Sequence, residues 1–162
     1  MDEIGNPHKK LKCIQIAGTN GKGSVAAMIS KGLINLGFNV GLFTSPHLVN
    51  INERIRINGK PITNNELKQI INSFKYKIEK TKATFFESIT AIAFYYFKKK
   101  KTDFAILETG LGGRLDSVTA CQNNIIAFTK ISLDHETILG DTTKKIAIEK
   151  SKAIILKTQK VF

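Results

Sequence analysis

This sequence predicts an α/β fold: a mainly parallel sheet with helices on both faces. Three observations carry that prediction. Short apolar runs recur at residues 13–17, 39–43, 103–108 and 124–129, the length and composition of strands covered on both faces. Longer segments of helical periodicity stand between them, at about 23–35, 63–80 and 84–99, so strand and helix alternate as parallel sheets require. Finally, the first run passes through the glycine-rich string Gly18-Thr19-Asn20-Gly21-Lys22-Gly23-Ser24 straight into a helical pattern. Strand, glycine loop and helix are the setting in which backbone N–H groups and a helix N-terminus converge on an anion.

In chain order, residues 1–11 are short and polar, with Gly5-Asn6-Pro7 as a turn. The strand at 13–17 ends at Gly18. In the helix that follows, Val25, Met28, Ile29 and Leu33 share one side, and Gly37 stops it. A second strand at 39–43 delivers Thr44-Ser45-Pro46-His47 to its C-terminal end, where ligands collect in open α/β sheets. Asn52, Glu53, Arg54 and Arg56 then alternate with Ile51, Ile55 and Ile57, which suits a small ribbon or an ordered loop, with Asn58-Gly59 as a turn. Thr63-Asn64-Asn65-Glu66 is a capping-box string opening a surface helix with Leu67, Ile70, Ile71, Phe74 and Ile78 on one stripe. The helix at 84–99 is apolar on most sides and should be largely buried. Glu87 in its first turn reads first as a partner for the helix dipole and second as a group facing a ligand.

The third strand, 103–108, ends in the carboxylate of Glu108, and the glycine-rich loop 110–116 follows. The fourth strand, 124–129, leads towards Asp134-His135; a helix is expected at 141–152 and a fifth strand at 153–156.

A single domain is the natural count for 162 residues. Lys and Arg outnumber Asp and Glu 25 to 13, a formal charge of +12, which could attract polyanions. The lysines are scattered, however, and no stretch interleaves basic with aromatic residues, so nucleic acid is not an expected partner. Cys13 and Cys121 form no C-x-x-C pair, so neither a zinc site nor a disulfide framework is indicated. No apolar run is long enough to span a bilayer and no signal peptide is visible, which leads to the expectation of a cytoplasmic protein.

Four polar groups would gather at one edge of such a sheet: the Lys22 loop, Ser45, Glu108 and His135. Lys22 would reach outer phosphates, Ser24 could meet a bound magnesium ion, and Glu108 is the residue type that holds magnesium directly or through water. The loop departs from the strict G-x-x-x-x-G-K-[ST] form, with Ile16 at the first glycine position and Gly23 inserted between Lys22 and Ser24. A tight turn joining strand to helix is the other reading.

Five blocks now carry a family resemblance: AGTNGKGS, LFTSPHLVNINERIRINGKPI, TFFESITAIAF, LETGLGGRLDS and ISLDHETILGDTTKKIAIEK. In this order they resemble the folylpolyglutamate synthase/dihydrofolate synthase family of the Mur ligase superfamily. The resemblance implies an incomplete P-loop-type Mur ligase ATPase domain, with ATP and Mg2+ as cofactors. It implies that Thr19, Asn20, Gly21, Lys22, Gly23 and Ser24 hold the ATP phosphates. Ser45 and Glu108 would bind one magnesium, with Glu108 and His135 at a second. Thr84, Phe85, Phe86 and Glu87, with Leu115, Asp116 and Ser117, would line a pterin pocket. Lys22 and Lys150 would be the catalytic lysines, Lys150 as an N6-carboxylysine; without the resemblance Lys150 reads as a surface lysine among Lys144, Lys145 and Lys152.

The implied reaction is ATP-dependent addition of L-glutamate to dihydropteroate or a folate through an acyl phosphate, by a monomer. The resemblance stops within residues 157–162, whereas family members continue through the rest of the ATPase domain and a C-terminal domain. They also begin earlier, with a leading helix. Smaller departures are Lys130, Ser151-Lys152 and Val118-Thr119-Ala120. A partial domain over 1–162, inactive and poorly soluble alone, is therefore the expectation, unless a second chain supplies the missing part. A non-catalytic nucleotide-binding or polyanion-binding module is the alternative.

Overall fold

The computed structural model describes residues 1–162. Its centre is a seven-stranded sheet. In chain order the strands are β1 (Cys13–Ala17), β2 (Val40–Phe43), β3 (Ile55–Ile57), β4 (Lys60–Pro61), β5 (Phe104–Glu108), β6 (Ile125–Phe128) and β7 (Lys160–Val161). The spatial order is β4-β3-β2-β5-β1-β6-β7. All neighbours from β2 to β7 run parallel, and β3 and β4 turn back antiparallel on β2. The 50–61 segment is thus the ribbon of the two sequence readings. Asn58 and Gly59 both take positive φ at its turn, the geometry that a tight hairpin requires.

Five helices surround the sheet: α1 (Lys22–Asn35), α2 (Asn64–Thr81), α3 (Phe85–Lys99), α4 (Glu136–Leu139) and α5 (Thr143–Ser151). Strand alternation divides their packing. Cys13, Phe43, Ala105 and Leu107 face α2 and α3 in the main core, while Ile16, Val40, Leu42 and Ile106 face α1. Helices therefore cover both faces. In α3 seven residues from Ile89 to Phe97 are buried, because the helix lies between the sheet and α2. Gly41 allows this approach, since a Cβ there would stand 2.6 Å from the Phe97 ring.

Two sequence expectations need correction. Met28 does not join the α1 stripe but is 66% exposed; Ala26 and Ser30 are buried instead. Small side chains face the sheet here, and Val25, Ile29 and Leu33 flank them. The run 153–156 is not a strand. Ala153 and Ile154 amides bond back to Lys150 and Ser151, and Ile155 and Thr158 close a turn, so the chain has reversed before it reaches the sheet. β7 forms later, where the Gln159, Lys160 and Phe162 amides donate to Asn124 and Ile126 carbonyls. The helix expected over 141–152 forms as α5, and α4 is a further single turn before Gly140.

No helix is long and apolar enough to cross a membrane. Both cysteines are free and buried; burial and the neighbouring Cys13 push the Cys121 thiol up.

Candidate functional site

Strand register assembles the site. Ile16 of β1 pairs with Glu108 at the end of β5, Ala17 with Phe128 at the end of β6, and Phe43 at the end of β2 with Leu107. The residues after these strands, the Gly18–Ser24 loop, Ser45, Thr109 and Thr129, consequently share one rim, the C-terminal edge of the parallel sheet.

The glycine loop is fastened to the segment after β6. Gly18 has φ +127°, and a Cβ on it would stand 2.0 Å from Thr129 Oγ1; only glycine fits this contact. The Thr19 and Asn20 amides donate to the Lys130 carbonyl, and the Thr19 hydroxyl exchanges hydrogen bonds with the Ser132 backbone. Those groups of Thr19 and Asn20 are spent on shaping the loop. The amides of Gly21, Lys22 and Ser24 donate to no acceptor, and they stand at the N-terminus of the fourteen-residue α1. This is the anion-binding geometry of a helix start. Lys22 Nζ folds over the loop and donates to the Thr19 carbonyl at 2.9 Å.

Glu108 lies beneath this loop, 6% exposed. Its Oε2 accepts the Ser45 amide at 3.0 Å, and a Cβ on Gly23 would stand 3.4 Å from the same oxygen. Burial pushes its carboxyl above the usual range; the Ser45 and Gly23 amides and the charges of Lys22 and Arg54 oppose that push. The Ser45 hydroxyl makes no hydrogen bond, and so remains available beside the carboxylate. His135 sits at the start of α4 with φ 47°, and its imidazole meets the Asp134 carboxylate at 3.6 Å. No cluster of three or more His, Cys, Asp or Glu side chains forms a metal cage.

Lys150 is not a surface residue. It is 3% exposed and its ammonium makes no hydrogen bond or ion pair, unlike Lys145 and Lys152, which pair with Asp141 and Glu149. Burial, then the like charge of Lys22, lowers its pKa, against the pull of Asp134 and Asp116. α5 is held close to the 110–116 loop because Gly113 has no side chain: a Cβ there would stand 2.4 Å from the Glu149 carbonyl oxygen.

A cleft of about 830 Å³ opens beside Ser45. Thr84, Phe86, Glu87, Leu115, Asp116 and Ser117 line it, together with Arg54. Phe85 does not; it points outward, 57% exposed, with the Arg54 guanidinium over its ring. Glu87 is occupied in a capping box with Thr84, accepting the Thr84 amide at 2.7 Å, and this bond first of all holds its carboxyl below the usual range. Asp116 accepts the Leu111 and Val118 amides and so closes the glycine-rich loop on itself.

Two residues gain a place here that the sequence did not assign. Arg54 is 8% exposed and its Nε donates to His47 Nδ1 at 2.8 Å. Its signal was its neighbour: Glu53 accepts the amides of Leu48, Val49 and Asn50, so N-E-R is a short helical turn that fixes Arg54. Gln15, fully buried in β1, donates to Thr109 and Thr119 and accepts from Asn123, whose amide also reaches the Ala153 carbonyl. This network ties the 110–121 region to the turn after α5.

A parallel sheet with an open-amide glycine loop over a buried carboxylate at its C-terminal rim defines an α/β class of protein with an anion-binding loop. The Mur ligase middle domain family matches residues 16–161, and the chain belongs to that family. Among the relatives it is similar to, the dihydrofolate synthase/folylpolyglutamate synthase of Bacillus subtilis is 44% identical over 158 residues, covering 93% of this chain and 37% of that protein. The folylpolyglutamate synthase of Lacticaseibacillus casei is 37% identical over 164 residues, covering 97% of this chain and 38% of the relative. The crystal structure of E. coli FolC in complex with ADP superimposes with a TM-score of 0.92 at 31% identity, covering 98% of this chain and 39% of that one. The chain thus spans a little over a third of the length of each of these three proteins.

Proposed function

We propose that this chain carries the phosphate-binding half of an ATP-dependent carboxylate–amine ligase site, whose full reaction adds L-glutamate to dihydropteroate or a folate. The observation that carries the proposal is the join between the glycine loop and Glu108: open amides at Gly21, Lys22 and Ser24 stand directly over a buried carboxylate. The names of the relatives, and the ADP in the E. coli structure, support the nucleotide and the substrate class.

In this reading the loop amides and Lys22 orient the β- and γ-phosphates of ATP, and the α1 N-terminus offsets their charge. The Glu108 carboxylate and the Ser45 hydroxyl are oxygen donors side by side, a set that suits magnesium, which keeps several of its waters. When bound there, magnesium supplies charge neutralisation on the phosphate oxygens. A substrate carboxylate in the cleft attacks the γ-phosphorus, ADP leaves, and the glutamate amine displaces phosphate from the acyl phosphate. Phe86, Leu111 and Leu139 contribute apolar walls to this open cleft, and keeping water from the reactive anhydride would need the cleft to close.

Lys150 fits the modified-lysine role on physical grounds. Only a neutral amine adds to carbon dioxide, and burial without a partner favours that form. The carbamate would turn an unpaired cation into an oxygen donor.

The test is nucleotide binding. Titration with Mg·ATP should show saturable binding by the purified chain, and Lys22→Ala should weaken it by roughly tenfold or more, as loss of a charge-assisted contact does. Equal binding by wild type and Lys22→Ala would remove the proposal. Carboxylation is checked separately, by a carbamate 13C resonance after incubation with 13C-bicarbonate, absent in Lys150→Met.

A further inference from the structure

Arg54 is the buried charge that the scheme above leaves unused. Five N–H bonds of a guanidinium ask for acceptors, and the structure satisfies one of them, Nε–H to His47 Nδ1. No carboxylate lies within ion-pairing distance of it; Glu108 acts on it across space, and Phe85 covers one face. The arginine is largely buried and has no anionic partner, and its remaining N–H groups reach the open cleft rather than the protein interior. Its unspent donors belong to a residue lining the cleft, which it shares with Ser45 and the apolar side chains of Phe86, Ile138 and Leu139.

We propose that Arg54 is the residue that receives the acid: its planar fork binds the carboxylate of an aromatic or otherwise apolar substrate and presents that carboxylate to the phosphate loop. A carboxylate takes two parallel N–H bonds from a guanidinium, which fixes its plane as well as its place. Phe85 and His47 act as the clamp that keeps the fork from rotating. Glu108, which accepts the Ser45 amide, keeps the region from accumulating excess positive charge. The inference rests on the reading of the cleft as the acid-binding part of a ligase site, and it names the group that reads the acid.

The experiment uses the full 162-residue chain and two probes of one shape, 4-fluorobenzoate and its neutral amide, 4-fluorobenzamide, titrated by 19F NMR. The wild type should bind the acid about tenfold or more tightly than the amide. Arg54→Gln should lose that preference while still binding the amide, and Arg54→Lys, which keeps charge without the fork, should recover part of it. Folding of each variant is checked by its thermal melt, and the acid-to-amide ratio of the wild type decides the matter if a variant does not fold. Equal affinity for acid and amide, binding of neither, binding of inorganic phosphate without acid preference, or a preference that survives in Arg54→Gln would each overturn the inference. Mg·ATP binding is measured in parallel. If it is absent while the acid preference holds, the ligase reading fails and the anion site stands; if it is present without acid preference, this inference fails alone.

Discussion

At the residue scale, the site is built from ionisable groups held in unfavourable surroundings. Glu108 shows the consequence for stability. Its folded-state pKa is raised from an ordinary 4.5, chiefly by burial, so the protonated form is the one that folding favours. Its contribution is present below pH 4.5 and is lost as pH rises through the folded-state value. Glu108→Gln keeps an acceptor for the Ser45 amide and removes the buried charge. The variant should therefore melt at a higher temperature than wild type at pH 7, with the gain disappearing towards pH 4, and should bind Mg·ATP less tightly. A lower melting temperature at pH 7 would show that the carboxylate is instead a stabilising partner of the loop. The sequence disclosed Glu108 because a carboxylate closing an apolar strand is conspicuous. It did not disclose Arg54 or the burial of Lys150, because a charge in a charged stretch looks solvated until tertiary contacts exclude water from it.

At the element scale, glycines decide which segments can meet. Gly113 lets the 110–116 loop rest on the last turn of α5, where a Cβ would collide with backbone carbonyls of Glu149 and Lys150. Backbone atoms cannot swing aside as a side chain can. Gly113→Ala should cost on the order of 1–3 kcal/mol, as overpacking does, and should displace the element that carries Lys150. Gly32 in α1 has open space where its Cβ would go, so Gly32→Ala should add roughly 0.5–1 kcal/mol through helix propensity alone. Urea unfolding of both variants measures the contrast; similar effects from the two would sink the packing account. Element identity was largely legible where periodicity was strong. The α2 capping box forms as its letters suggest, and Glu87, read first as a partner for the α3 dipole, closes a second box with Thr84. The apolar run 153–156 misled because four residues cannot distinguish a strand from a turn that tucks one alanine into a core.

At the scale of the whole molecule, the +12 charge and the exposed apolar side chains near the C-terminus act against each other. Ile154, Leu156, Val161 and Phe162 are all exposed, and the ion pairs present are surface pairs that leave most lysines free. Like-charge repulsion keeps copies apart at low ionic strength, and salt screens it over about 3–10 Å. Light scattering should therefore report a larger mean mass as NaCl rises from ~0.05 M to ~0.5 M, and Leu156→Lys with Phe162→Lys should suppress the rise. A mass that falls with salt would point to electrostatic association instead. What the sequence determined by itself was local: the strand–loop–helix around Lys22, the helix caps, the turn at Asn58-Gly59, and the carboxylate at the end of β5. Each depends on neighbours a few residues apart, and propensity and periodicity record those. The tertiary structure alone decided that β5 lies between β1 and β2, that Ser45 hands its amide to Glu108, that Arg54 lines the cleft without a counter-ion, and that Lys150 is buried where α5 packs on the glycine-rich loop. Those facts depend on strand order and on the exclusion of water by segments distant in the chain, and only folding brings such segments together.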